Sequence, residues 1–571
     1  MAKLNNLFQS LNIRGKEFKN RIFSTGHMAV MLDDGKPSHR LAAYHGAKAK
    51  GGAALTIIEA ARVHPTGNSG RPAIRAYDPE CVQGYKKLAD ACQPHGCLVF
   101  AQLTHPGREM ALASDGSHPV AYAPAAVPNE RFHVMPRAMP IVLIEEIIEG
   151  FELSASHLRQ AGLDGVELVA SHGYLLGQFL NPKINLRTDE YGGSFEGRLR
   201  FLKDAVDATR RGAGEEMIVG VRLSGDEKDY AGTELDQMLE ICSALNDDLN
   251  LDYFNITAGT SAGLVGSTHI VPPMEYETGY TAPISASIKA IVTKPVFVAG
   301  RINQPQIADE IIKMDQADMC GMTRALISDP MMPLKAIKGD FEDIRACVAC
   351  NQACIGHMLN ACSISCIQRP ETGRELEYAN ISRTNSKKRI LVAGGGPAGM
   401  KAACVAADRG HQVTLCEKSN SLGGQINLAQ SLPGRAEFGG IITNLNNELK
   451  KTTANVRFNS SVNLELIEEL APDVVIAATG AAPYMPEIQG SEEAHVVNTW
   501  QVLDGKANVG GSVIIADWRC DWVGLGLAEM LVKQGCHVRL AVNGMVAGQN
   551  IPQYARDAWI GKLHKLGVEI I

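Results

Sequence analysis

The sequence contains no long hydrophobic segment. No stretch reaches the roughly 18 consecutive apolar residues that a membrane-spanning helix needs, and residues 1–11 hold no apolar run of signal-peptide length. The net charge of -7 at pH 7 gives no electrostatic reason to expect a nucleic acid or an anionic membrane surface as a partner. Low-complexity tracts are also absent. We therefore expect a globular, cytoplasmic protein that binds neither nucleic acid nor membrane.

The cysteines are the most informative residues that the sequence does contain. Fourteen of them in a chain without a secretion signal favour reduced thiols and metal ligation over disulfides. Cys347, Cys350 and Cys354 have the spacing C-x2-C-x3-C, and Cys366 follows after eleven intervening residues. Soft thiolates in such an array select an iron–sulfur cluster or zinc. The asymmetric spacing suits a [4Fe–4S] cluster better than the two matched pairs of a structural zinc site, so we predict these four cysteines as cluster ligands.

Up to about residue 345, short apolar segments alternate with amphipathic helical patterns. The predicted strands are Ile22–Thr25, Ala54–Ala60, Leu98–Leu103, Gly165–Val169, Ile218–Leu223, Tyr253–Thr257, Val296–Ala299 and Met319–Met322. Eight strand–helix units predict an α/β fold of the (β/α)8 barrel type, with its site on the loops after the strands. An open, doubly wound sheet is the structural alternative. The length of 571 residues requires at least one further domain.

Polar residues follow several of the predicted barrel strands. Gln102 ends the third strand, His172 and Tyr174 follow the fourth, Arg222 ends the fifth, Gly300 and Arg301 follow the seventh, and Arg324 follows the eighth. A phosphate held by the loops after strands seven and eight is a recurrent feature of such barrels. Gly300 lets the backbone approach a phosphate, and Arg301 and Arg324 can supply charge-assisted hydrogen bonds. The pattern therefore predicts a phosphate-bearing ligand at this end of the barrel.

A dinucleotide-binding pattern begins after the polar segment 371–388. The buried strand Arg389–Ala393 is followed by a G-x-G-x-x-G motif, whose glycines are Gly394, Gly396 and Gly399, and by a helical pattern. Glu417 ends the next strand, about twenty residues on. In such folds the glycines allow the tight turn and the close approach to a pyrophosphate, and the acid binds the ribose hydroxyls. We therefore predict a second, Rossmann-like nucleotide site.

A further strand at Ser512–Ala516 predicts the start of another nucleotide-binding fold. The turn that follows, Asp517–Gly524, lacks the glycine-rich sequence. Trp518, Arg519 and Trp522 stand where the backbone would otherwise approach a pyrophosphate, so this turn should obstruct NADH or NADPH binding.

Several longer motifs resemble a known family, the old yellow enzyme-like flavin oxidoreductases. The subclass is the one that contains 2,4-dienoyl-CoA reductase and trimethylamine dehydrogenase. The matching segments are Lys19–Ile22, Ala101–Arg108, Ser171–Leu175, Gln178–Pro182 and Arg187–Ser194, with the cysteine cluster and the glycine motif following in family order. The resemblance covers essentially the whole chain.

The resemblance implies that the barrel binds FMN. Thr25 and Gln102 would contact the flavin ring, Arg222 its pyrimidine edge or the ribityl chain, and Gly300, Arg301, Gly321 and Arg324 the phosphate. His172 and Tyr174 would face the substrate, where they can hydrogen-bond it or move a proton. Trimethylamine dehydrogenase attaches its flavin through a cysteine after the first-loop histidine, whereas Met28 follows His27 here, so we expect non-covalent FMN.

The resemblance also implies a domain organisation and the further cofactors. We expect an FMN-binding barrel over residues 1–345, a [4Fe–4S] segment over 346–370 and an FAD- or ADP-binding domain over 385–500. The start of a second nucleotide-binding domain is expected over 501–571. Relatives continue beyond this point, so a C-terminal segment completing the FAD fold is expected to be missing. A homodimer is one possible assembly.

Two reactions remain open on the sequence. The first is oxidation of an N-methylated small metabolite by an amine dehydrogenase or N-demethylase, with electrons passing through the cluster to an acceptor such as an electron-transfer flavoprotein. The second is an NAD(P)H-dependent reduction of an enoate or a 2,4-dienoyl-CoA. A non-enzymatic electron-transfer module is the third alternative, and the presence of both His172 and Tyr174 disfavours it. All four tryptophans lie outside the barrel, so an aromatic cage for a quaternary ammonium substrate is not expected.

Overall fold

The structure is a computed structural model that describes residues 4–111, 116, 119–378 and 381–571. The chain forms two compact units. The first comprises Met1–Gly339 and Ala349–Glu377, and the second comprises Asp340–Val348 and Tyr378–Ile571. Among the described residues, no helix is long and apolar enough to cross a membrane. The expected four-part division of the chain stays a prediction.

The first unit contains eight parallel strands that close into a barrel. The strands are β1 Ile22–Ser24, β2 Leu55–Arg62, β3 Leu98–Thr104, β4 Gly165–Ala170, β5 Ile218–Asp226, β6 Tyr253–Ala258, β7 Val296–Ala299 and β8 Met319–Gly321. Each strand pairs with the next along the chain, and β8 pairs with β1. The predicted barrel is therefore confirmed, and the open doubly wound sheet is excluded for this unit. The strands are apolar runs because parallel strands are covered on both faces.

One main helix follows each barrel strand. The helices are α1 His39–Lys50, α2 Cys81–Cys92, α3 Ile141–Gln160, α4 Phe195–Ala213, α5 Leu235–Asn246, α6 Ala282–Lys289, α7 Pro305–Lys313 and α8 Thr323–Ser328. Additional helices cover Leu175–Leu180, Leu264–Ser267, Met332–Lys338, His357–Leu359 and Glu375–Tyr378. The side chains of Ser38 and Ser194 cap α1 and α4, and Glu234 forms a capping box with Gln237 at α5.

Aromatic side chains fill the bottom of the barrel. Phe18 comes from the antiparallel hairpin Leu11–Ile13 and Lys16–Phe18, and it packs against Phe100 and Phe297 with ring centroids 6.1 Å apart in each pair. Tyr253 stacks on Phe297 at 4.4 Å. Because this end is filled by packed side chains, ligands can enter only from the opposite end, where the loops follow the strands.

The second unit contains two parallel sheets. Strands β9 Arg389–Ala393, β10 Gln412–Cys416, β11 Asn455–Arg457 and β12 Val474–Ala477 are arranged in the order β11-β10-β9-β12. Strands β13 Ser512–Asp517, β14 His537–Val542 and β15 Glu569–Ile570 form the other sheet. The longer helices are α9 Pro397–Asp408, α10 Gly439–Lys450, α11 Trp522–Lys533 and α12 Gln553–Lys565, with shorter ones at Ile426–Ala429, Leu464–Leu470 and Thr499–Leu503. Strand, turn and helix alternate here as in a Rossmann-like fold, as predicted.

Candidate active site

A buried carboxylate organises the polar residues inside the barrel. Glu167 on β4 has no exposed surface and accepts hydrogen bonds from Gln102 Nε2 at 2.6 Å, Tyr253 OH at 2.9 Å and Asn255 Nδ2 at 2.8 Å. The bond from Gln102 fixes which end of its amide faces β4. A Cβ atom on Gly26 would lie 2.2 Å from Gln102 Oε1, so a side chain there would displace the Gln102 amide. Gln102, a predicted flavin contact, is therefore held beside the loop after β1.

Arg222 on β5 lies buried near the same carboxylate. Burial lowers the pKa of its guanidinium, and the charge of Glu167 partly opposes this effect. Among the described residues, Arg222 Nε has no hydrogen-bond acceptor. A buried donor without a partner costs about 1–3 kcal/mol. An acceptor atom of a bound ligand, such as a flavin carbonyl or ribityl oxygen, would remove that cost, so Arg222 fits the FMN expectation.

The ends of β1, β7 and β8 come together in the barrel. The hydroxyls of Thr25 and Thr323 lie 2.8 Å apart, and Thr323 Oγ1 also accepts a hydrogen bond from Thr25 N at 2.8 Å. A Cβ atom on Gly321 would lie 2.7 Å from Thr25 Cγ2, and one on Gly300 would lie 2.3 Å from Thr281 Oγ1. Thr281 Oγ1 is buried and has no hydrogen-bond partner in the described part of the chain. These close approaches require both glycines and leave a hydroxyl for a ligand.

The two arginines predicted to bind a phosphate follow β7 and β8. Arg301 is 7% exposed and has φ of +51°, a left-handed conformation that costs energy for a residue with a Cβ atom. Arg324 is half-buried and donates to Asn351 Oδ1 and to Pro272 O, each at 2.8 Å. Both arginines follow their strands at this end of the barrel, and part of Arg324 is directed toward the cysteine segment. Their contact with a phosphate stays a prediction.

His172 and Tyr174 project from a tight turn after β4. His172 has φ of +64° and Gly173 has φ of +76°. This backbone is held from the neighbouring loops, because His172 N donates to Ser224 Oγ at 3.1 Å and His172 O accepts from Ser261 N at 2.9 Å. The two rings lie nearly parallel, with centroids 6.2 Å apart and an angle of 13° between them. The turn thus presents the two side chains together, as a pair that faces one substrate requires.

The electrostatic surroundings keep His172 neutral. Burial, followed by the positive charge of Arg222, holds the pKa of His172 well below its usual range. Its Nδ1 lies 2.5 Å from Ser171 Oγ. The imidazole therefore carries no charge near pH 7, and it can donate or accept one hydrogen bond at the other ring nitrogen.

A second polar cluster lies behind the loop after β1, and the sequence reasoning did not identify it. Lys48 on α1 is 1% exposed and donates to Ser24 Oγ at 3.1 Å and contacts His27 Nε2 at 3.3 Å. His27 Nε2 also lies 2.7 Å from Tyr44 OH. Burial lowers the pKa of Lys48 to about 7. The only available sequence signal was a polar residue on the face of α1 that carries Leu41 and Tyr44.

A cavity of about 510 Å³ opens among the loops after β3, β4, β5 and β6. Its lining includes Arg108, Asn129, Lys183 and Asp229. Glu109, next to Arg108, accepts hydrogen bonds from Asn129 Nδ2 at 2.5 Å and from Ser261 Oγ at 2.7 Å. The cavity wall is thereby connected to the loop that holds His172, because Ser261 also donates to His172 O.

The cysteine segment has an irregular backbone. Ala349 and Asn351, on either side of Cys350, both have a left-handed φ, and a single π-helical turn covers Gln352–Gly356. The four predicted ligands are each partly exposed, whereas most other cysteines are buried. Cys350, Cys354 and Cys366 belong to the first unit, and Cys347 belongs to the segment counted with the second. Within the described ranges, no three His, Cys, Asp or Glu side chains are arranged to hold a single metal ion. The ligand assignment stays a prediction.

The glycine motif of the second unit forms a close turn between β9 and α9. A Cβ atom on Gly394 would lie 2.3 Å from Ala478 O, and one on Gly399 would lie 1.9 Å from Gly394 O. A Cβ atom on Gly396 would meet nothing within 4 Å. The first two glycines therefore pack the turn, while Gly396 faces open space, as expected where a pyrophosphate approaches the backbone.

Glu417 lies at the end of β10, as predicted, and bonds to the glycine turn. Its Oε2 accepts from Gly395 N at 2.7 Å, and its Oε1 accepts from Ser419 N at 2.8 Å. Burial alone would raise the pKa of Glu417, but these hydrogen bonds bring it below its usual range. A carboxylate in this position can accept a hydrogen bond from a ribose hydroxyl.

The turn after β13 is filled by the side chains of the protein. Asp521 caps α11 by accepting from Val523 N at 3.0 Å, and Asp517 Oδ1 accepts from Cys520 N at 2.9 Å. Burial raises the pKa of Asp517 to about 6. A Cβ atom on Gly524 would lie 2.4 Å from the Asp517 carboxyl. Trp518 is 48% exposed on the same turn. Carboxylates thus occupy the helix N-terminus at which a dinucleotide phosphate binds in related folds.

Comparisons with known proteins agree with this arrangement. Residues 6–342 match the NADH:flavin oxidoreductase / NADH oxidase family, and residues 388–571 match the pyridine nucleotide-disulphide oxidoreductase family. The NADH oxidase of Thermoanaerobacter brockii is 36% identical over 547 residues, which cover 95% of this chain and 83% of that protein. The N,N-dimethylglycine/sarcosine dehydrogenase of Chromohalobacter salexigens is 31% identical over 573 residues, which cover 97% and 82%.

A solved structure extends the likeness over the complete fold. The complex of 2-naphthoyl-CoA reductase with 2-naphthoyl-CoA matches with a TM-score of 0.92 at 28% identity, covering 100% of this chain and 87% of that one. The barrel, the site at its mouth and these matches define a flavin-dependent oxidoreductase. The chain belongs to the NADH:flavin oxidoreductase / NADH oxidase family. The resemblance found in the sequence is therefore confirmed.

Proposed function

We propose that the protein is an amine dehydrogenase or N-demethylase that oxidises an N-methylated small metabolite. The barrel holds FMN through Thr25, Gln102, Arg222 and the glycine and arginine residues after β7 and β8. The four cysteines hold a [4Fe–4S] cluster, and the second unit holds FAD or ADP. Electrons leave through the cluster to a separate acceptor, such as an electron-transfer flavoprotein.

The observation that carries this proposal is the turn after β13. A nicotinamide dinucleotide needs close backbone approach and free amide groups at the helix N-terminus. Here Asp521 already caps α11, and Asp517 lies against Gly524. A pyrophosphate would meet two carboxyl groups and the ring of Trp518. A protein that binds NAD(P)H poorly must obtain its electrons from its substrate, which favours a dehydrogenase.

The residues at the barrel mouth suit an amine substrate. A neutral His172 does not repel an ammonium group, and its other ring nitrogen can accept a hydrogen bond from the amine. Tyr174, beside it, orients the substrate by its hydroxyl. FMN held at this site would supply the acceptor for the hydride of the N-methyl carbon. Water then releases formaldehyde and the demethylated amine from the substrate iminium.

The activities of related proteins support a second candidate function. An NAD(P)H-dependent enoate or 2,4-dienoyl-CoA reductase is favoured by the 36% identity to an NADH oxidase and by the likeness to 2-naphthoyl-CoA reductase. In that reaction Tyr174 would protonate the substrate carbon next to the carbonyl after hydride reaches the neighbouring carbon. The 510 Å³ cavity is large enough to hold part of such a substrate.

A substrate panel tests the first candidate. The anaerobic holoprotein is mixed with N,N-dimethylglycine, sarcosine and other N-methylated amino acids, each paired with its unmethylated parent as the control. We expect at least one methylated compound to bleach the flavin and release formaldehyde, and its parent to do neither. If none of them bleaches the flavin while an enoyl thioester reoxidises the reduced enzyme, the proposal is wrong and the reductase is correct.

A further inference from the structure

One asparagine side chain connects the cysteine segment with the end of the barrel. Asn351 directly follows Cys350, and its Oδ1 accepts a hydrogen bond from Arg324 Nη1 at 2.8 Å. Its Nδ2 donates to Val271 O at 2.7 Å, and Arg324 Nη2 donates to Pro272 O at 2.8 Å. These hydrogen bonds join three segments of the first unit into one closed set. The segments are the one after β6, the one after β8 and the one that carries the cysteines.

The surroundings of Asn351 fix its side chain in one orientation. The residue is 1% exposed, so water does not replace its hydrogen bonds. Its backbone has φ of +55° and ψ of +14°, a left-handed conformation that asparagine tolerates better than most residues. The amide must present its oxygen to a guanidinium and its nitrogen to a carbonyl. Aspartate has the same shape but no hydrogen to donate, so it cannot make both bonds.

These contacts constrain the plane of the Arg324 guanidinium. Each of its two terminal nitrogens uses one hydrogen on a protein acceptor, one on Asn351 and the other on Pro272. A guanidinium has five donors in a rigid fork, so fixing two of them directs the remaining three. A phosphate at the end of β8 would meet those remaining donors without any cost of ordering the side chain.

We propose that Asn351 is a positioning residue that couples the proposed FMN site with the proposed cluster site. Through Arg324 it orients the predicted FMN phosphate contact, and through its own backbone it fixes the turn between Cys350 and Cys354. This inference rests on the proposed FMN and cluster of the preceding section. Loosening the asparagine should therefore weaken FMN binding and disturb the cluster together, although the residue contacts neither reacting centre.

The test compares Asn351→Asp with a matched control. The variant puts a carboxylate beside the Arg324 guanidinium, which competes with the phosphate, and it removes the bond to Val271 O. We expect FMN to dissociate with a Kd raised about tenfold or more, and the electron paramagnetic resonance signal of the reduced cluster to change. Asn360→Asp adds the same charge at an exposed position of the same segment, and we expect it to change neither readout.

The outcomes separate this inference from the proposed function. A wild-type protein without FMN and iron overturns both. A wild-type protein that holds both groups, with Asn351→Asp unchanged in FMN affinity and cluster signal, overturns the positioning role alone. If Asn351→Asp does not accumulate as folded protein, Asn351→Ser removes the bridge without adding charge or bulk. A smaller loss of FMN affinity is expected for Asn351→Ser, and unchanged affinity again overturns the positioning role.

Discussion

Replacing Glu167 with glutamine should lower the stability of the barrel and leave the stability of the second unit unchanged. Three donors point at the buried carboxylate, from Gln102 at 2.6 Å, Tyr253 at 2.9 Å and Asn255 at 2.8 Å. Glutamine offers one acceptor oxygen and one NH2 group in the same space. One of the three donors then faces another donor unless the Gln102 or Asn255 amide flips, and a flip gives up that amide's present contacts.

The magnitude follows from these contacts. A hydrogen bond to a charged group contributes about 1.5–3 kcal/mol, and a buried donor left unpaired costs about 1–3 kcal/mol. The positive charge of Arg222, buried nearby, also loses the carboxylate that offsets it. Because glutamine can still accept part of the network, we expect the free energy of unfolding of the barrel to fall by about 3 kcal/mol.

Urea unfolding followed by two signals measures this effect. The four tryptophans (Trp500, Trp518, Trp522 and Trp559) all lie in the second unit, so their fluorescence reports that unit and circular dichroism reports both. With a urea dependence of about 3 kcal/mol per molar, the barrel midpoint should fall by about 1 M while the tryptophan midpoint stays unchanged. Glu215→Gln is the control, since that side chain is 87% exposed and pairs only at the surface with Arg14. Equal barrel midpoints for the two variants would refute the role of Glu167.

Two further predictions concern the cluster and the pH dependence. Cys350→Ala should abolish the broad cluster absorbance while FMN remains bound, because the two groups use separate ligands; full iron content in this variant would refute the ligand assignment. Burial raises the pKa of Glu109 to about 7, whereas an unfolded glutamate has a pKa of about 4.3. The protonated carboxyl therefore stabilises the folded state fully below pH about 4.3, and this stabilisation is lost as the pH rises toward 7. The free energy of unfolding of Glu109→Gln, measured in urea, should therefore rise by about 1–3 kcal/mol relative to that of the wild type between pH 5 and pH 8. The same difference between the two proteins at both pH values would contradict the raised pKa of Glu109.

Sequence patterns predicted the barrel because its strands are continuous apolar runs with polar residues directly after them. All eight strands were placed within a few residues of their observed bounds. The glycine turn before α9 could also be predicted from the sequence, because close backbone approach permits only glycine at Gly394 and Gly399. In these regions the residues that determine the structure are close together in the sequence, so a local pattern is enough to predict it.

The residues that sequence reasoning missed act through contacts between distant segments. Glu167 meets Asn255 across 88 positions, and Asn351 meets Val271 across 80. No local pattern marks such residues, since each is a single polar residue within an apolar or irregular stretch. Lys48 is similar, because a lysine on an amphipathic helix is ordinarily exposed, whereas here it is buried beside His27. The orientation of the Arg324 guanidinium likewise depends on a contact with a distant residue, Asn351.

The source of the electrons tests the central claim most directly. The full-length holoprotein is mixed anaerobically with NADH, with NADPH and with the methylated amine that bleaches the flavin, and the bleaching is followed by stopped flow. Asp517 and Asp521 accept hydrogen bonds from backbone amides of the turn after β13, and Trp518 lies half-exposed on that turn. We therefore expect both nicotinamides to reduce the flavin far more slowly than the amine does. Complete reduction by either nicotinamide within milliseconds would contradict the dehydrogenase and establish the reductase.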